Sequence, residues 1–149
     1  MATMTLDTHP ARTPPWLWAA AALGILWNLY GVYQYVGSFT DAGRAAMTAG
    51  MTASQAAVYL SLPTWISVAF ALGVFGGLAG SVLLALRRLT ARQVFAASLI
   101  GYAALFAGDA YHGVFAAIPS QLAILAVVVA IAAALAWAAH VAAKRKLLN

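Results

Sequence analysis

Residues 63–88 read PTWISVAFALGVFGGLAGSVLLALRR, and the chain is organised around this apolar stretch. It carries no charge from Trp65 to Leu86, and a helix of that length spans roughly 33 Å, which is enough to cross a bilayer. Small residues recur along one helical face, namely Ala69, Gly73, Gly77, Ser81 and Ala85, with Gly76 and Gly80 beside them. In lipid the backbone must hydrogen-bond to itself, so the helix persists and these residues form a groove.

The groove predicts where the helices pack. Small residues let two backbones approach closely, so a neighbouring helix can lie in it. Five residues are the predicted packing positions: Gly73, Gly76, Gly77, Gly80 and Ser81. We expect this face to contact the first or the fourth helix of the chain.

The composition indicates a membrane protein. Of 149 residues, 64% are hydrophobic and only 7% are charged, whereas soluble domains carry about 25% charged residues. A soluble core of this size could not bury so much apolar surface. The expected partner is therefore the lipid bilayer. The basic residues form short clusters between apolar runs, a topological pattern that does not indicate nucleic-acid binding.

Few residues are available for catalysis or metal binding. The chain has no cysteine, which excludes disulfides, thiol catalysis and cysteine-ligated metals. It has three acidic residues, all aspartates, and its three histidines are scattered along the sequence. We therefore expect no catalytic residue, no metal site and no cofactor.

Four apolar segments predict an all-α, polytopic fold, an antiparallel four-helix transmembrane bundle that forms a single membrane domain over residues 1–149. The predicted spans are residues 16–36, 65–86, 94–111 and 121–141. The polar, proline-containing segment before the first span is predicted to be mobile. Thr13, Thr90 and Ser120 are predicted to cap the first, third and fourth helices.

The longest connection, residues 37–62, is predicted to contain a short helix. Thr52 and Gln55 have the spacing of a capping box, in which each side chain bonds the other residue's backbone N–H. Val58, Tyr59 and Leu62 follow on this helix and are expected to lie on the bilayer surface.

The basic residues predict the orientation. If both termini are inside, seven of the eight Lys and Arg residues lie on the inner side and only Arg44 lies outside. Loops that stay in the cytoplasm are enriched in such residues. The predicted location is the bacterial inner membrane, with both termini cytoplasmic and the 37–62 connection periplasmic.

Asp109 is the acid inside an apolar span, near the outer end of the third helix. A charge at such a position is costly unless it is paired, so it is a candidate site for a proton or a solute. His112 lies three residues later on the same helical face, and Tyr102 continues that face inward. Two interpretations stay open: a proton-responsive carboxylate beside a histidine, or a solvated, interfacial aspartate paired with His112.

Asn28 is the polar residue near the middle of the first helix. An asparagine at that depth usually hydrogen-bonds between helices, and a contact with a ligand is the alternative. Asp109, His112, Asn28 and Tyr102 together form the candidate proton or solute site.

A family resemblance rests on helices one and two. The residues that carry it are Trp27-Asn28, Gly31, Tyr35, Pro63-Thr64-Trp65, Gly73-Val74-Phe75-Gly76-Gly77 and Gly80-Ser81. These resemble a family of small bacterial inner-membrane proteins with four predicted helices, whose members are often labelled sugar transporters. The resemblance extends to the Thr52–Gln55 turn and weakly to the third helix, and it assigns no functional residue.

Three functions are compatible with these features. The first is transport of a small, sugar-like solute, with dimerisation to complete the path; the second is a non-catalytic accessory or assembly subunit of a membrane complex. An enzyme is the least favoured, since one buried acid and scattered histidines do not make a catalytic set. A polar cavity that reaches Asn28 would favour transport, and a sealed core would favour the accessory role.

Overall fold

The computed structural model describes residues 12–149, which are helical and contain no β-strand. Seven helices follow one another along this part of the chain: α1 (Pro15–Gly37), α2 (Asp41–Thr48), α3 (Ala53–Leu60), α4 (Thr64–Ala85), α5 (Ala91–Tyr111), α6 (Val114–Ala117) and α7 (Pro119–Lys144). The long helices α1, α4, α5 and α7 correspond to the four predicted spans. The predicted mobile segment falls largely on residues 1–11, outside the described residues.

Three of the described helices, α4, α5 and α7, are long enough and apolar enough to cross a membrane. Helix α1 is as long, with 23 residues and no charged side chain. Its tryptophans, tyrosines, Asn28 and Gln34 lower its mean hydropathy. The all-α class and the presence of membrane-type helices are therefore confirmed, while the four-helix transmembrane bundle stays a prediction.

Local sequence explains how the short helices of the connection begin. The Thr52 hydroxyl accepts a hydrogen bond from the Gln55 backbone N–H at 3.3 Å, and the Gln55 side chain accepts one from the Thr52 N–H at 3.0 Å. The predicted capping box is thus confirmed at the start of α3. Helix α2 was not predicted; Thr40 caps it by accepting from the Gly43 N–H at 3.0 Å.

Two predicted cap positions are wrong, and a third residue holds its predicted position without making the capping hydrogen bond. The residues before α1 and α7 are Pro14 and Ile118, so Thr13 and Ser120 do not hold the cap positions. Thr90 does precede α5, but its backbone is already helical, with φ −60° and ψ −20°. A capping side chain reaches the first-turn N–H groups from an extended backbone, which Thr90 lacks.

The groove of α4 receives two helices. A side chain at Gly77 would meet the Asn28 amide of α1, whereas one at Gly73 would meet the Tyr102 ring of α5. The remaining close approaches are those of Gly76 to Ser98, Gly80 to Phe95, and Ser81 to Gly24. The expected contact with the first helix is therefore present, but the main second partner is α5, the third long helix, and not the fourth. The two helices that follow each other along the chain pack side by side because only a five-residue turn joins them.

The molecule has two ends with different packing. At one end of the molecule α1 and α5 begin and α4 and α7 end. This end carries seven basic residues, and we call it the basic end. Its core contains Leu17, Ala21, Leu84, Ala91, Phe95, Leu135, Ala139, Ala142 and Leu148. The opposite, loop end carries α2, α3 and α6, and a second core of Ile66, Ala69, Val74, Tyr102, Leu105, Leu125 and Ala132 lies toward it.

The C-terminal residues 147–149 fold back over the basic end. The backbone of Asn149 exchanges two hydrogen bonds of 2.7 Å with the α4–α5 turn, accepting from the Leu89 N–H and donating to the Arg87 carbonyl. The Arg87 side chain donates to the Leu147 carbonyl at 2.9 Å. Leu148 is buried in the core of the basic end, so this tail completes that core.

Candidate functional site: a cavity at the loop end

A cavity of about 610 Å³ lies between α1 and α7, above α4 and α5. Volumes of this size hold small-molecule ligands in other proteins. The lining side chains that carry a polar atom come from six helices and one connection: Trp27, Tyr30, Gln34, Ser38, Arg44, Tyr59, Ser67, Tyr102, Asp109, Ser120 and Gln121. Most of the remaining lining is apolar, with Phe70, Leu105 and Leu125 as examples.

The spacing of α1 and α7 produces this cavity. At the basic end the two helices share one core, where Gly24 lies against Leu135. At the loop end they stand on opposite sides of the cavity, with Gln34 on α1 and Gln121 on α7. The small residues thus allow contact at one end, and the connection with α2 and α3 occupies part of the space at the other.

Tyr102 forms the inner limit of the cavity and connects it to Asn28. The Tyr102 hydroxyl donates a long hydrogen bond of 3.4 Å to the Asn28 side-chain oxygen. The Asn28 amide nitrogen donates to the Gly24 carbonyl of its own helix at 2.8 Å. Asn28 is 1% exposed, and the space around it has no room for a water molecule.

These contacts place Asn28 and Tyr102 side by side, as two candidate residues that the fold brings together. The Asn28 contact joins α1 to α5, in agreement with the interhelical interpretation of this residue. The cavity stops at Tyr102, one side chain short of Asn28. The core is therefore sealed below Tyr102 and open above it. From the sequence, a polar cavity that reaches Asn28 is associated with transport and a sealed core with an accessory role, and the observed arrangement lies between these two.

Asp109 lines the same cavity from α5. It is only 6% exposed, and its buried Oδ1 has no hydrogen-bond partner in the described part of the chain. Asp109 is therefore buried and not solvated, while its position at the membrane interface stays a prediction. A buried carboxylate oxygen without a donor is unusual, because such groups lose their water without compensation.

His112 does not pair with Asp109. No hydrogen bond or ion pair joins the two side chains, and His112 is exposed at the end of α5. Its ring lies near Trp65, with 6.2 Å between centroids, and meets Tyr111 edge-on at 5.2 Å. The His112 N–H still donates to the Gly108 carbonyl at 2.9 Å, so the direction of the ring, and not the end of the helix, keeps it from bonding to Asp109. His112 is near enough for its charge to act on the Asp109 carboxylate, but it does not line the cavity.

Tyr59 is a cavity residue that sequence reasoning placed elsewhere. It was expected on the bilayer surface with Leu62, but both residues line the cavity. Burial raises the pKa of the Tyr59 hydroxyl, and the nearby Asp109 carboxylate raises it further, while the neighbouring Gln121 side chain acts in the opposite direction. Tyr59 therefore keeps its proton and remains a donor beside Asp109.

Helix α3 is held over the cavity by a contact far along the chain. The Gln55 side chain donates to the Ala117 carbonyl of α6 at 2.9 Å. The same residue caps α3, so one side chain both starts the helix and anchors it. The capping spacing is visible in the sequence, but nothing local indicates the contact with α6.

Arg44 lies at the α2 side of the cavity and already has partners. It forms an ion pair of 2.6 Å with Asp41 and donates to the Ser38 carbonyl at 3.2 Å. Asp41 is almost fully exposed, so this pair is solvated and contributes little stability. Arg44, Gln34, Tyr59 and Gln121 are polar cavity residues that the sequence analysis did not place in the candidate site.

Within residues 12–149, no group of three histidine or acidic side chains gathers where it could hold a metal ion. The chain matches no protein-family model, no curated protein and no solved structure. The resemblance to small inner-membrane proteins labelled sugar transporters therefore stays a prediction.

Proposed function

We propose that this chain is a bacterial inner-membrane protein that binds a small solute in the cavity at its loop end and takes part in transport of that solute. The observation that carries the proposal is the cavity itself, which reaches from α2 and α3 to Tyr102 at the middle of α5. It combines aromatic rings, amides and one carboxylate, the mixture that recognises a small polar molecule with an apolar face.

The proposal includes α1 as a fourth span in an antiparallel four-helix bundle. Its 23 residues cover roughly 34 Å as a helix. Leu23, Leu26 and Leu29 on its outer surface are 48–67% exposed, which suits contact with lipid. Tryptophan and tyrosine lower its hydropathy but are favourable at membrane interfaces, so they do not argue against a span.

The basic end is assigned to the cytoplasm and the cavity to the periplasmic side. The support is the distribution of basic residues, of which seven lie at the basic end and Arg44 lies in the 37–62 connection. Both termini are then cytoplasmic. One cavity that ends at mid-depth is half a path, so we propose that transport requires a second copy or another membrane protein.

Single-cysteine variants test the cavity and its orientation, since the natural chain contains no cysteine. Ser67→Cys places a thiol on the cavity wall, and Ser98→Cys places one in the sealed core, where the serine is 1% exposed. In intact cells with a permeable outer membrane, a membrane-impermeant maleimide should label Ser67→Cys and leave Ser98→Cys unlabelled. Labelling of Ser67→Cys from the cytoplasmic side alone would show that the proposed orientation is reversed. No labelling from either side would show that the cavity is not accessible to solvent.

An accessory subunit of a membrane complex is the second candidate. It is favoured by α7, the least buried of the three apolar helices, which exposes Ala126, Ala130 and Ala134 along one side. Small exposed residues let another helix approach. Purification in mild detergent separates the candidates: a stoichiometric partner that is lost in an Ala130→Leu variant supports the accessory role. We expect no enzymatic activity in either case.

A further inference from the structure

The buried carboxylate of Asp109 lacks the partner that its environment demands. An ionised group that leaves water needs an opposite charge in contact or several donors, and among the described residues the Asp109 Oδ1 accepts no hydrogen bond and the carboxylate forms no ion pair. Because Asp109 lines the cavity, the missing partner can come from a molecule bound there.

The charged and titratable neighbours do not fill this role. Arg44 is engaged by Asp41 and the Ser38 carbonyl. The His112 charge acts on the Asp109 carboxylate from a distance, but the ring forms no hydrogen bond or ion pair with it and lies near Trp65 and Tyr111. Tyr102 directs its hydroxyl to Asn28. Tyr59 lies close enough to sense the carboxylate charge, but a neutral hydroxyl can only donate one hydrogen bond.

We propose that the solute taken by this cavity is a small organic ammonium compound, whose protonated amino group binds the Asp109 carboxylate while its apolar part lies against the aromatic and aliphatic lining. This inference rests on the proposed function, because it names the class of solute for the same cavity. Asp109 is then a binding residue that selects for positive charge.

A positive charge fits this cavity better than hydroxyl groups alone. A neutral sugar would donate hydrogen bonds to Asp109 but leave the negative charge uncompensated at low dielectric. An ammonium group supplies both the charge and up to three donors. The rings of Tyr59 and Tyr102 can also face a cation, which attracts the negative face of an aromatic ring.

Matched pairs of probes test the inference on the intact protein in nanodiscs. The first pair is 2-phenylethylamine and 2-phenylethanol, and the second is glucosamine and glucose. The members of each pair differ by an amino group in place of a hydroxyl. Binding is measured by isothermal calorimetry and by protection of Ser67→Cys from maleimide. We expect the amine of at least one pair to bind roughly 10- to 100-fold more tightly than its hydroxyl partner.

Asp109→Asn supplies the second measurement, with Asp41→Asn as the matched control. Both variants remove one negative charge, but Asp41 lies almost fully exposed on α2. We expect Asp109→Asn to abolish the preference for the amine and Asp41→Asn to keep it. Since Asp109 Oδ1 has no internal partner to lose, the ligand-free Asp109→Asn variant should unfold at the wild-type temperature or above it.

Each result separates the inference from the proposed function. Equal binding of amine and hydroxyl probes by the natural chain would overturn the inference and leave solute binding intact. An amine preference that survives in Asp109→Asn would also overturn it, because another group would then select the charge. If no probe binds and Ser67→Cys is not labelled, both proposals fail. If Asp109→Asn does not fold, the comparison of probe pairs on the natural chain still decides.

Discussion

The two ends of this molecule use the same four long helices to opposite effect. At the basic end α1 and α7 share a core, and the chain's last residues cover it. At the loop end the same two helices are separated by a cavity of about 610 Å³. Helix composition alone therefore does not decide packing, since α1 and α7 are apolar along most of their length. Residue size at the contacts and the segments that connect the helices decide it.

The largest expected effect comes from a bulky substitution at the contact between α1 and α4. In Gly77→Leu the new side chain would overlap the Asn28 amide of α1, where no space is available. We expect α1 and α4 to separate, so that the variant no longer elutes as a monodisperse protein. The loss of folding stability should exceed the roughly 1–3 kcal/mol typical of overpacking. Size-exclusion chromatography in mild detergent measures the change in elution.

Ala79→Leu is the control for this variant. Ala79 lies two residues along the same helix on its exposed side, so the same bulk enters the lipid-facing surface. It should elute and unfold as the natural chain does. A Gly77→Leu protein that behaved like Ala79→Leu would show that α1 does not lie against this part of α4.

A smaller effect is expected at the tail that covers the basic end. Leu148→Ala removes a side chain that is 8% exposed within the core there. We expect a loss of about 2–3 kcal/mol, the lower part of the range for buried leucines, because the tail can partly collapse into the space. Thermal unfolding in detergent checks this.

Leu89→Ala makes the same chemical change at a position that is 52% exposed in the turn bonded to the tail. It should change stability by less than about 0.5 kcal/mol. Equal losses for the two variants would mean that Leu148 is not part of the core.

The smallest expected effect concerns the alkaline pH dependence of the loop end. The pKa of Tyr59 is raised in the folded protein above its ordinary value of 10.0, through burial and the Asp109 charge. Above pH 10 the unfolded chain therefore loses this proton first, so stability present below pH 10 is lost as the pH rises toward the folded pKa. One such group contributes at most about 1.4 kcal/mol per pH unit.

In Tyr59→Phe the contribution of this group to the pH dependence of the unfolding free energy should disappear. The variant should therefore lose less stability than the natural chain between pH 9 and pH 11. The comparison is Tyr111→Phe, whose side chain is 86% exposed, and which should keep the natural slope. Identical slopes in all three proteins would place Tyr59 in water, outside the cavity.

The success of the sequence predictions follows the range of the interactions involved. The long helices could be predicted because an uncharged apolar run is a local property, and the cap at Thr52 because its two partners are three residues apart. The cap at Thr90 failed because the α4–α5 turn holds that backbone in a helical conformation. The missed helix α2 did carry a local signal, the Thr40 cap.

The site was less predictable than the fold. Asp109 could be identified as an unusual acid in an apolar helix, but its depth depends on neighbours such as Tyr59. The helix that carries Tyr59 is in turn held by Gln55 against a carbonyl 62 residues away. No pattern around Asp109 or Tyr59 reports that contact.

The all-α class, the membrane-type helices and the small-residue groove of α4 follow from the sequence alone, because hydrophobicity, helix periodicity and residue size are properties of neighbouring residues. The tertiary structure was needed to find that α5 shares this groove with α1, that the Asp109 Oδ1 is buried without a hydrogen-bond partner among residues 12–149, and that a cavity separates α1 from α7. These features depend on contacts between residues distant along the chain, such as Gly24 with Leu135 and Gly77 with Asn28, and on how the connections fill the space between helices.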